Sequence, residues 1–192
     1  PFVVREPPAD TATAAAAAAA KTPLDLVAET LRQPLPNRGL PMRVASYTSI
    51  DSGSTKVRIV VSAEFGEPAR DEMELPIGVI ILDKNDRTVF SRAGMTKLAP
   101  ASVRGESPRL ILTSLLLDPG EYTLRVAAVD ERGRAGSVHH SINARLTRMA
   151  GGLSVSDLML VPQPPSGGEL PRPRPSGIID SETLTAMVEM SG

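Results

Sequence analysis

The sequence holds three groups of residues that could take part in chemistry, and the first is the stretch Asp51 to Thr55. The pattern Asp-x-Ser-x-Ser can bind a divalent cation, but Gly53 stands where its first Ser belongs. That pattern also precedes a helix, whereas the residues from Val57 onward alternate as in a strand. Because Asp, Ser and Gly are favoured in tight turns, we interpret this stretch as a hairpin turn.

A second group, Asp83, Asn85 and Asp86, has the spacing of the first ligands of a calcium-binding loop. Such a loop needs Gly at its sixth position and Glu at its twelfth. Thr88 and Gly94 stand at those positions, so a plain turn is the better interpretation. A weak surface ion site at an acidic loop stays an alternative, with candidate residues Glu67, Asp71, Glu72 and Glu74.

The third group is His139 and His140, the two histidines of the chain. Neighbouring residues of a strand point to opposite faces, so the two cannot bind one metal ion together. A catalytic triad would place one of them beside a Ser and a carboxylate. The chain has no Gly-x-Ser-x-Gly motif and no glycine-rich nucleotide-binding motif. We therefore predict no catalytic, cofactor-binding or metal-binding residue.

The amino-acid composition and net charge of the chain argue against further classes of function. The 192 residues include no Cys, which excludes disulfides and Cys-ligated metals. The formal net charge of −1 gives no whole-chain reason to expect nucleic acid. Arginines are frequent in the second half, but a nucleic-acid platform also needs aromatic rings, which make up 3% of residues. No apolar run is long enough to span a bilayer.

One helix is predicted, from Pro23 to Gln33, within a segment spanning residues 22–36. Thr22 is a favourable N-cap, Pro suits the first helical position, and Asp25 lies in the first turn. Apolar residues then recur at helical spacing. The helix should therefore be amphipathic and pack by one face; the residues of that face are Leu24, Val27, Ala28 and Leu31.

From Leu40 the hydrophobic period changes to two, as in β-strands. The clearest strand is Val57 to Phe65, followed by a charged loop from Gly66 to Glu74. The run from Ile77 to Leu82 is apolar on both faces, as in a central strand. Thr88 to Phe90 is predicted as a short return strand.

A long polar connection is predicted from Ala93 to Pro108. The stretch Arg109 to Leu146 then shows three strands joined by two tight turns. Seven strands at this spacing predict an all-β fold over residues 37–161, an immunoglobulin-like antiparallel β-sandwich. Tyr122 should lie at the start of a central strand, with its ring buried and its hydroxyl bonded to nearby backbone.

Both ends of the chain are predicted to be extended arms. Residues 1–21 contain the poly-alanine run Ala14 to Ala20, which lacks an amphipathic face and is interpreted as an arm or linker. Residues 162–177 form a Pro- and Gly-rich linker that includes the polyproline-type segment Leu170 to Pro175. Residues 178–192 are either a terminal strand or the start of a further domain.

Two parts of the chain resemble a region of bacterial VWFA-related proteins. One part is Gly39 to Ala45 together with the strand that ends at Gly66, and the other is the motif Leu117 to Tyr122 with Val129-Asp130. In that family the region lies downstream of a von Willebrand factor A-like domain, and the motif also fits fibronectin type III-like modules. The resemblance covers Pro23 to Val161 and implies an extracytoplasmic bacterial protein with immunoglobulin-like modules.

Together these observations predict a non-catalytic module that contacts other proteins or spaces domains in an exported protein or assembly. Its two arms, residues 1–21 and 162–192, are the predicted contact segments. The alternative is a β-sandwich that binds a carbohydrate or another small ligand. An enzyme is not expected, and neither a nucleic-acid partner nor a membrane-spanning segment is expected.

Overall fold

The computed structural model describes residues 21–51, 53–101, 107–162, 169–177 and 183–192. It contains one α-helix, α1, one short 3-10 helix (Ala150–Gly152) and twelve strands within these ranges. The bounds are α1 (Pro23–Arg32), β1 (Met42–Ser49), β2 (Val57–Ala69), β3 (Met73–Asp83), β4 (Thr88–Pro100), β5 (Ser107–Leu117), β6 (Gly120–Val129), β7 (Ala135–Ala144), β8 (Thr147–Arg148), β9 (Ser154–Val155), β10 (Met159–Val161), β11 (Thr185–Met187) and β12 (Met190–Ser191).

The predicted helix is confirmed. Thr22 and Asp25 form a capping box, in which each side chain binds the backbone of the other residue. Val27 and Leu31 are buried and pack on the outer face of β3 and β6. The backbone comes close at Gly78, where an added Cβ would lie 2.6 Å from both Val27 and Leu31. Arg125 donates from Nη1 to the Leu31 carbonyl at 3.3 Å, which satisfies one carbonyl at the end of the helix.

Seven antiparallel strands form one sheet in the order β1-β2-β5-β4-β3-β6-β7. The all-β prediction is therefore confirmed, but the sheet is nearly barrel-shaped and is not clearly a two-sheet sandwich. The reason lies partly in β4, which pairs with β3 along most of its length and with β5 through Ala99 and Pro100. Strand β4 thus joins two groups of strands that would otherwise form two separate sheets.

The opposite side of the sheet is closed by residues 37–40, which we call the crossover segment. Leu40 donates to the Ala135 carbonyl at 2.9 Å, and Ser137 donates to the Asn37 carbonyl at 2.8 Å, both on the β7 side. The chain then becomes β1, whose whole length pairs with β2. The core lies inside this curved sheet, and its largest fully buried side chains include Phe65, Ile59, Leu75, Ile81, Leu98 and Leu124.

Three local predictions need correction. The short return strand Thr88–Phe90 is in fact the 13-residue strand β4, so the predicted polar connection Ala93 to Pro108 is a strand as far as Pro100. The predicted loop Gly66 to Glu74 is also mostly strand, since β2 continues to Ala69 and β3 begins at Met73. Gly66 has a φ of 69°, and the β2–β5 register shifts between Phe65 and Ala69. The irregular residue interrupts the alternation without ending the strand.

The C-terminal region folds back onto this sheet. Strand β11 pairs with β10, and β12 pairs with β9. The Thr48 backbone donates to Asp157 Oδ2 at 2.8 Å, and the Asp157 backbone donates to Thr48 Oγ1 at 2.9 Å. Glu189 accepts hydrogen bonds from the Ser49 hydroxyl and from the Ile50 backbone. The residues from 183 onward are therefore bound to the end of β1 and to Ile50 of the same chain, while residues 1–20 of the predicted arm 1–21 lie outside the described residues.

We expect Gly136→Ala to lower the free energy of unfolding by about 1–3 kcal/mol, because overpacking carries a cost of that size. The new Cβ would lie 2.8 Å from Leu40 Cβ and 2.9 Å from Met42 Sδ, where the crossover segment meets β7. Urea denaturation measures the change. The matched control is Gly94→Ala, because an added Cβ there meets nothing within 4 Å. Equal stability of the two variants would contradict the close approach.

Tyr122→Phe should lower the free energy of unfolding by about 1 kcal/mol, the typical value of one hydrogen bond. The Tyr122 hydroxyl donates to the Asp118 carbonyl at 2.8 Å, as predicted, although its ring is only partly buried. The removal of the hydroxyl leaves the ring contacts in place. Thermal and urea unfolding of the variant measure the loss, and a change below a few tenths of a kcal/mol would contradict a stabilising role.

Candidate functional site

A cleft of about 870 Å³ opens where the crossover segment and the start of β1 face β7. Its walls also include β2, the start of β5 and residues 169–177, which we call the C-terminal strap. The size is in the range of pockets that hold small molecules, roughly 300–1,000 Å³. Apolar and proline side chains make up much of its wall, among them Leu40, Met42, Pro68, Pro108 and Val138.

Glu64 is the carboxylate of this cleft, and it is 3% exposed. It alternates along β2 with Ala63 and Phe65, which belong to the core, so its side chain lies on the outer face of the sheet. Strand position alone would leave such a residue in solvent. The strap buries it instead.

The strap binds Glu64 through two side chains. Arg174 Nε lies 3.3 Å from Glu64 Oε1, and the Ser176 hydroxyl donates to the same oxygen at 3.1 Å. Beside them, the Ser62 hydroxyl donates to the Pro173 carbonyl at 2.6 Å. The Glu64 and Arg174 side chains are 4% and 6% exposed. A buried charge is costly unless it is paired, so the strap and β2 depend on each other.

The second carboxylate oxygen of Glu64, unlike the first, has no hydrogen-bond donor within the described ranges. Oε2 is buried and accepts no hydrogen bond from any described residue. A carboxylate oxygen without a donor in a low-dielectric site costs free energy. The wall of the cleft therefore contains one strong acceptor that lacks a donor in the described part of the chain and has almost no surface of its own exposed.

His139 also lines the cleft, whereas His140 does not. Burial, and after it the positive charge of Arg125 on β6, lowers the pKa of His139 below its ordinary value. Its imidazole is therefore mostly neutral at pH 7. Its Nε2 is buried and has no hydrogen-bond partner among the described residues.

His140 faces the inside of the sheet, as its alternation with His139 predicts. Its Nε2 lies 2.9 Å from the Ser46 hydroxyl across the seam between β7 and β1. Burial lowers the pKa of His140. A Ser–His pair can activate a nucleophile, but substrate must then reach the hydroxyl. Neither residue lines the cleft, so we interpret the pair as a contact that joins the two strands.

The two loops with metal-like patterns are turns. Asp83 Oδ1 accepts from the backbone of Asn85 at 2.8 Å and of Arg87 at 2.9 Å, and these bonds lower the pKa of Asp83. Asp51 forms an ion pair with Arg58. Within the described ranges, no three His, Asp or Glu side chains lie close enough to hold a metal ion. None of the helical residues in those ranges forms a segment long and apolar enough to cross a bilayer.

Comparison with known proteins adds little to this geometry. No protein-family model matches the chain, and no curated protein matches it. One similar solved structure, an X-ray structure of a Northeast Structural Genomics Consortium target, is 16% identical with a TM-score of 0.38; the match covers 56% of this chain and 87% of that one. A Bordetella pertussis protein that carries the name ApaA is 14% identical with a TM-score of 0.33, over 57% and 94% of the two chains. Likenesses this weak support no statement about this chain.

Sequence reasoning did not find the cleft. Within the predicted strand Val57 to Phe65, the alternation places Glu64 on the solvent-facing side, and Arg174 lies in the proline-rich linker predicted for residues 162–177. The two residues are 110 positions apart, and no local pattern connects them. One feature of the sequence could have indicated this contact, namely the positively charged arginine within the extended segment Leu170 to Pro175. An extended segment with a positive charge can cover a strand that carries a negatively charged residue.

We expect Arg174→Met to lower the free energy of unfolding by about 3 kcal/mol, because it leaves the Glu64 carboxylate buried without its partner. The double variant Glu64→Leu with Arg174→Met removes both charges and should recover most of this loss. Urea denaturation at neutral pH measures both. Arg172→Met, which changes an exposed arginine two residues before Arg174 along the strap, is the control and should change little. Equal stability of the two single variants would contradict a buried ion pair.

Proposed function

We propose that this chain is a non-catalytic module that contacts another protein through its C-terminal region. The observation that carries the proposal is an apolar face on the paired strands β10 and β11. Leu160 is paired with Ala186 in this ribbon, and both residues are exposed. Flanking residues at alternate positions share their face, and we call the set the apolar ribbon: Leu158, Leu160, Leu184, Ala186 and Val188.

The ribbon exposes one face and buries the other. Met159 and Val161 are fully buried, while Leu160 between them is 42% exposed. Leu158, Leu184 and Val188 are 58%, 55% and 45% exposed. Single exposed apolar residues are ordinary, but a contiguous apolar patch on a soluble protein commonly marks an interaction surface. The alternation favours a surface built for contact over a loosely packed tail.

A protein partner fits this surface better than a polar ligand does. The ribbon lies outside the seven-stranded sheet, and its five residues carry no charge. Burial of such side chains against a complementary apolar surface contributes roughly 25 cal/mol per Å² removed from water. The predicted contact arm, residues 162–192, contributes Leu184, Ala186 and Val188 to this face, while Leu158 and Leu160 come from the segment that precedes the arm.

The wider setting belongs to the same proposal. The resemblance to the region downstream of the A-like domain in VWFA-related proteins, with its immunoglobulin-like sandwich, supports an extracytoplasmic module in a larger bacterial assembly. The absence of Cys is compatible with export and does not require it. The closed seam at Ser46 and His140 supports a non-catalytic role, because the hydroxyl does not open into the cleft.

The test is a pair of charge substitutions on matched residues. Leu160→Glu places a charge in the middle of the apolar ribbon and should weaken partner binding more than tenfold, because a buried unpaired charge costs well over 1.4 kcal/mol. The partner is first identified by a photo-reactive amino acid at position 158 in the source cells. Its affinity for the purified protein is then measured by titration calorimetry.

Val89→Glu is the control for this experiment. Val89 is 48% exposed and lies on β4, which is three strands away from β1 in the sheet. It should leave the affinity unchanged. A second copy of this chain as the cross-linked partner would support contact through the ribbon. The proposal fails if position 158 gives no discrete cross-linked product, or if both variants bind the partner equally well.

A further inference from the structure

The charges around the cleft are unequal. Its ionisable lining residues in the described ranges include three arginines, Arg38, Arg43 and Arg174, against one carboxylate, Glu64. His139 is mostly neutral at pH 7 because burial and Arg125 lower its pKa. The cleft therefore carries an excess of positive charge, and an anionic group is favoured over a cationic one.

Two of these arginines are available to a ligand. Arg174 is paired with Glu64, whereas Arg38 and Arg43 are exposed at the rim. Neither rim arginine forms an ion pair with a carboxylate of the described residues. Guanidinium groups bind carboxylates and phosphates through paired hydrogen bonds. The anionic group of a ligand is thus expected at the rim.

The inner part of the cleft requires a donor and not a second cation. Glu64 Oε2 is buried and lacks a donor among the described residues. A cationic donor would approach the guanidinium of Arg174, which already lies 3.3 Å from the other oxygen of Glu64. A neutral N–H or O–H group satisfies the acceptor without this repulsion. Between rim and interior the wall is apolar, with Leu40, Met42 and Val138 among its residues.

We propose that the cleft is a binding site for a small organic anion that has an apolar body and a neutral hydrogen-bond donor. The anionic group binds Arg38 and Arg43, the body contacts the apolar wall, and the donor binds Glu64 Oε2 after a small shift of the strap uncovers this buried oxygen. This site is separate from the apolar ribbon and does not depend on the protein-contact function. No Phe, Tyr or Trp is among the lining residues that the structure describes, which disfavours a sugar stacked on such a ring.

Three small probes separate the contributions of the negative charge and of the N–H donor to the binding affinity. N-acetyl-leucine has the carboxylate, the amide N–H and the apolar body; N-acetyl-leucinamide lacks the charge, and 4-methylpentanoate lacks the N–H. Titrations followed by NMR give their dissociation constants and show which methyl groups shift. We expect N-acetyl-leucine to bind about tenfold more tightly than either of the others, since a charge-assisted hydrogen bond is worth roughly 1.5–3 kcal/mol.

Substitution of the two rim arginines tests whether they bind the anionic group of the ligand. Arg38→Gln with Arg43→Gln should weaken N-acetyl-leucine about tenfold and leave N-acetyl-leucinamide unchanged. The control, Arg92→Gln, changes an exposed arginine of β4 and should have no effect. Both arginines of the double variant are exposed, so folding is expected to be retained, and the NMR spectrum of the free protein verifies it.

Shifts confined to the methyl groups of Leu40, Met42 and Val138 would support the site. The proposal is overturned if all three probes bind equally, if millimolar N-acetyl-leucine shifts none of these methyl groups, or if the double variant binds it as tightly as the unchanged protein. These outcomes are independent of the cross-linking result at position 158. Failure here therefore leaves the protein-contact proposal intact.

Discussion

The buried carboxylate of Glu64 constrains much of this structure. It occupies the outer face of β2, where a strand residue would ordinarily be hydrated, yet it is 3% exposed. Burial is tolerable only because Arg174 and Ser176 bind one of its oxygens. That requirement brings the strap across the sheet, and the strap in turn completes one wall of the cleft. Glu64 thus links β2 to the strap, and the strap supplies Arg174 and Ser176 to the wall of the cleft.

The curved sheet explains where the cleft can form. The crossover segment is bonded to β7 at Asn37 and Leu40, and the chain pairs with β2 from Met42 onward, so the cleft lies where the chain passes from one neighbour to the other. The close contact at Gly136 fixes the β7 side of this passage. The Ser46–His140 contact holds the seam further along. The seam between β7 and β1 is therefore closed where these two strands approach each other. It is open where the crossover segment diverges from β2.

Local features of the fold could be predicted from the sequence. The helix cap at Thr22, the hydroxyl contact of Tyr122 and the alternation along β6 depend on nearby residues, whose patterns are visible in sequence. The length of β4 was missed because only Leu98 among its residues is buried, and because Gly94 and Pro100 resemble the ends of a strand. The closure of the sheet was missed because it depends on which neighbour each edge strand selects, and alternation carries no such information.

The cleft could not be predicted, since it is assembled from residues that are distant in sequence. Glu64, Ser137 and Arg174 belong to three separate regions, and each has an ordinary local explanation. The apolar ribbon was only partly visible: the alternation of Leu184, Ala186 and Val188 predicted a strand, but not the strand it would pair with. Pairing with β10 decides which side chains are buried, and therefore which remain on the surface.

The distance between Glu64 and Arg174 has a consequence for the order of synthesis. The arginine leaves the ribosome 110 residues after the glutamate, which is roughly 5–20 seconds at ordinary rates of translation. The seven main strands are complete only when Ala144, the last residue of β7, has been synthesised, and from then until Arg174 follows, the outer face of β2 carries a hydrated, uncovered carboxylate. The nascent protein thus passes through a stage with a formed core and an open flank. A premature stop between Ala144 and the strap would leave the chain permanently at that stage.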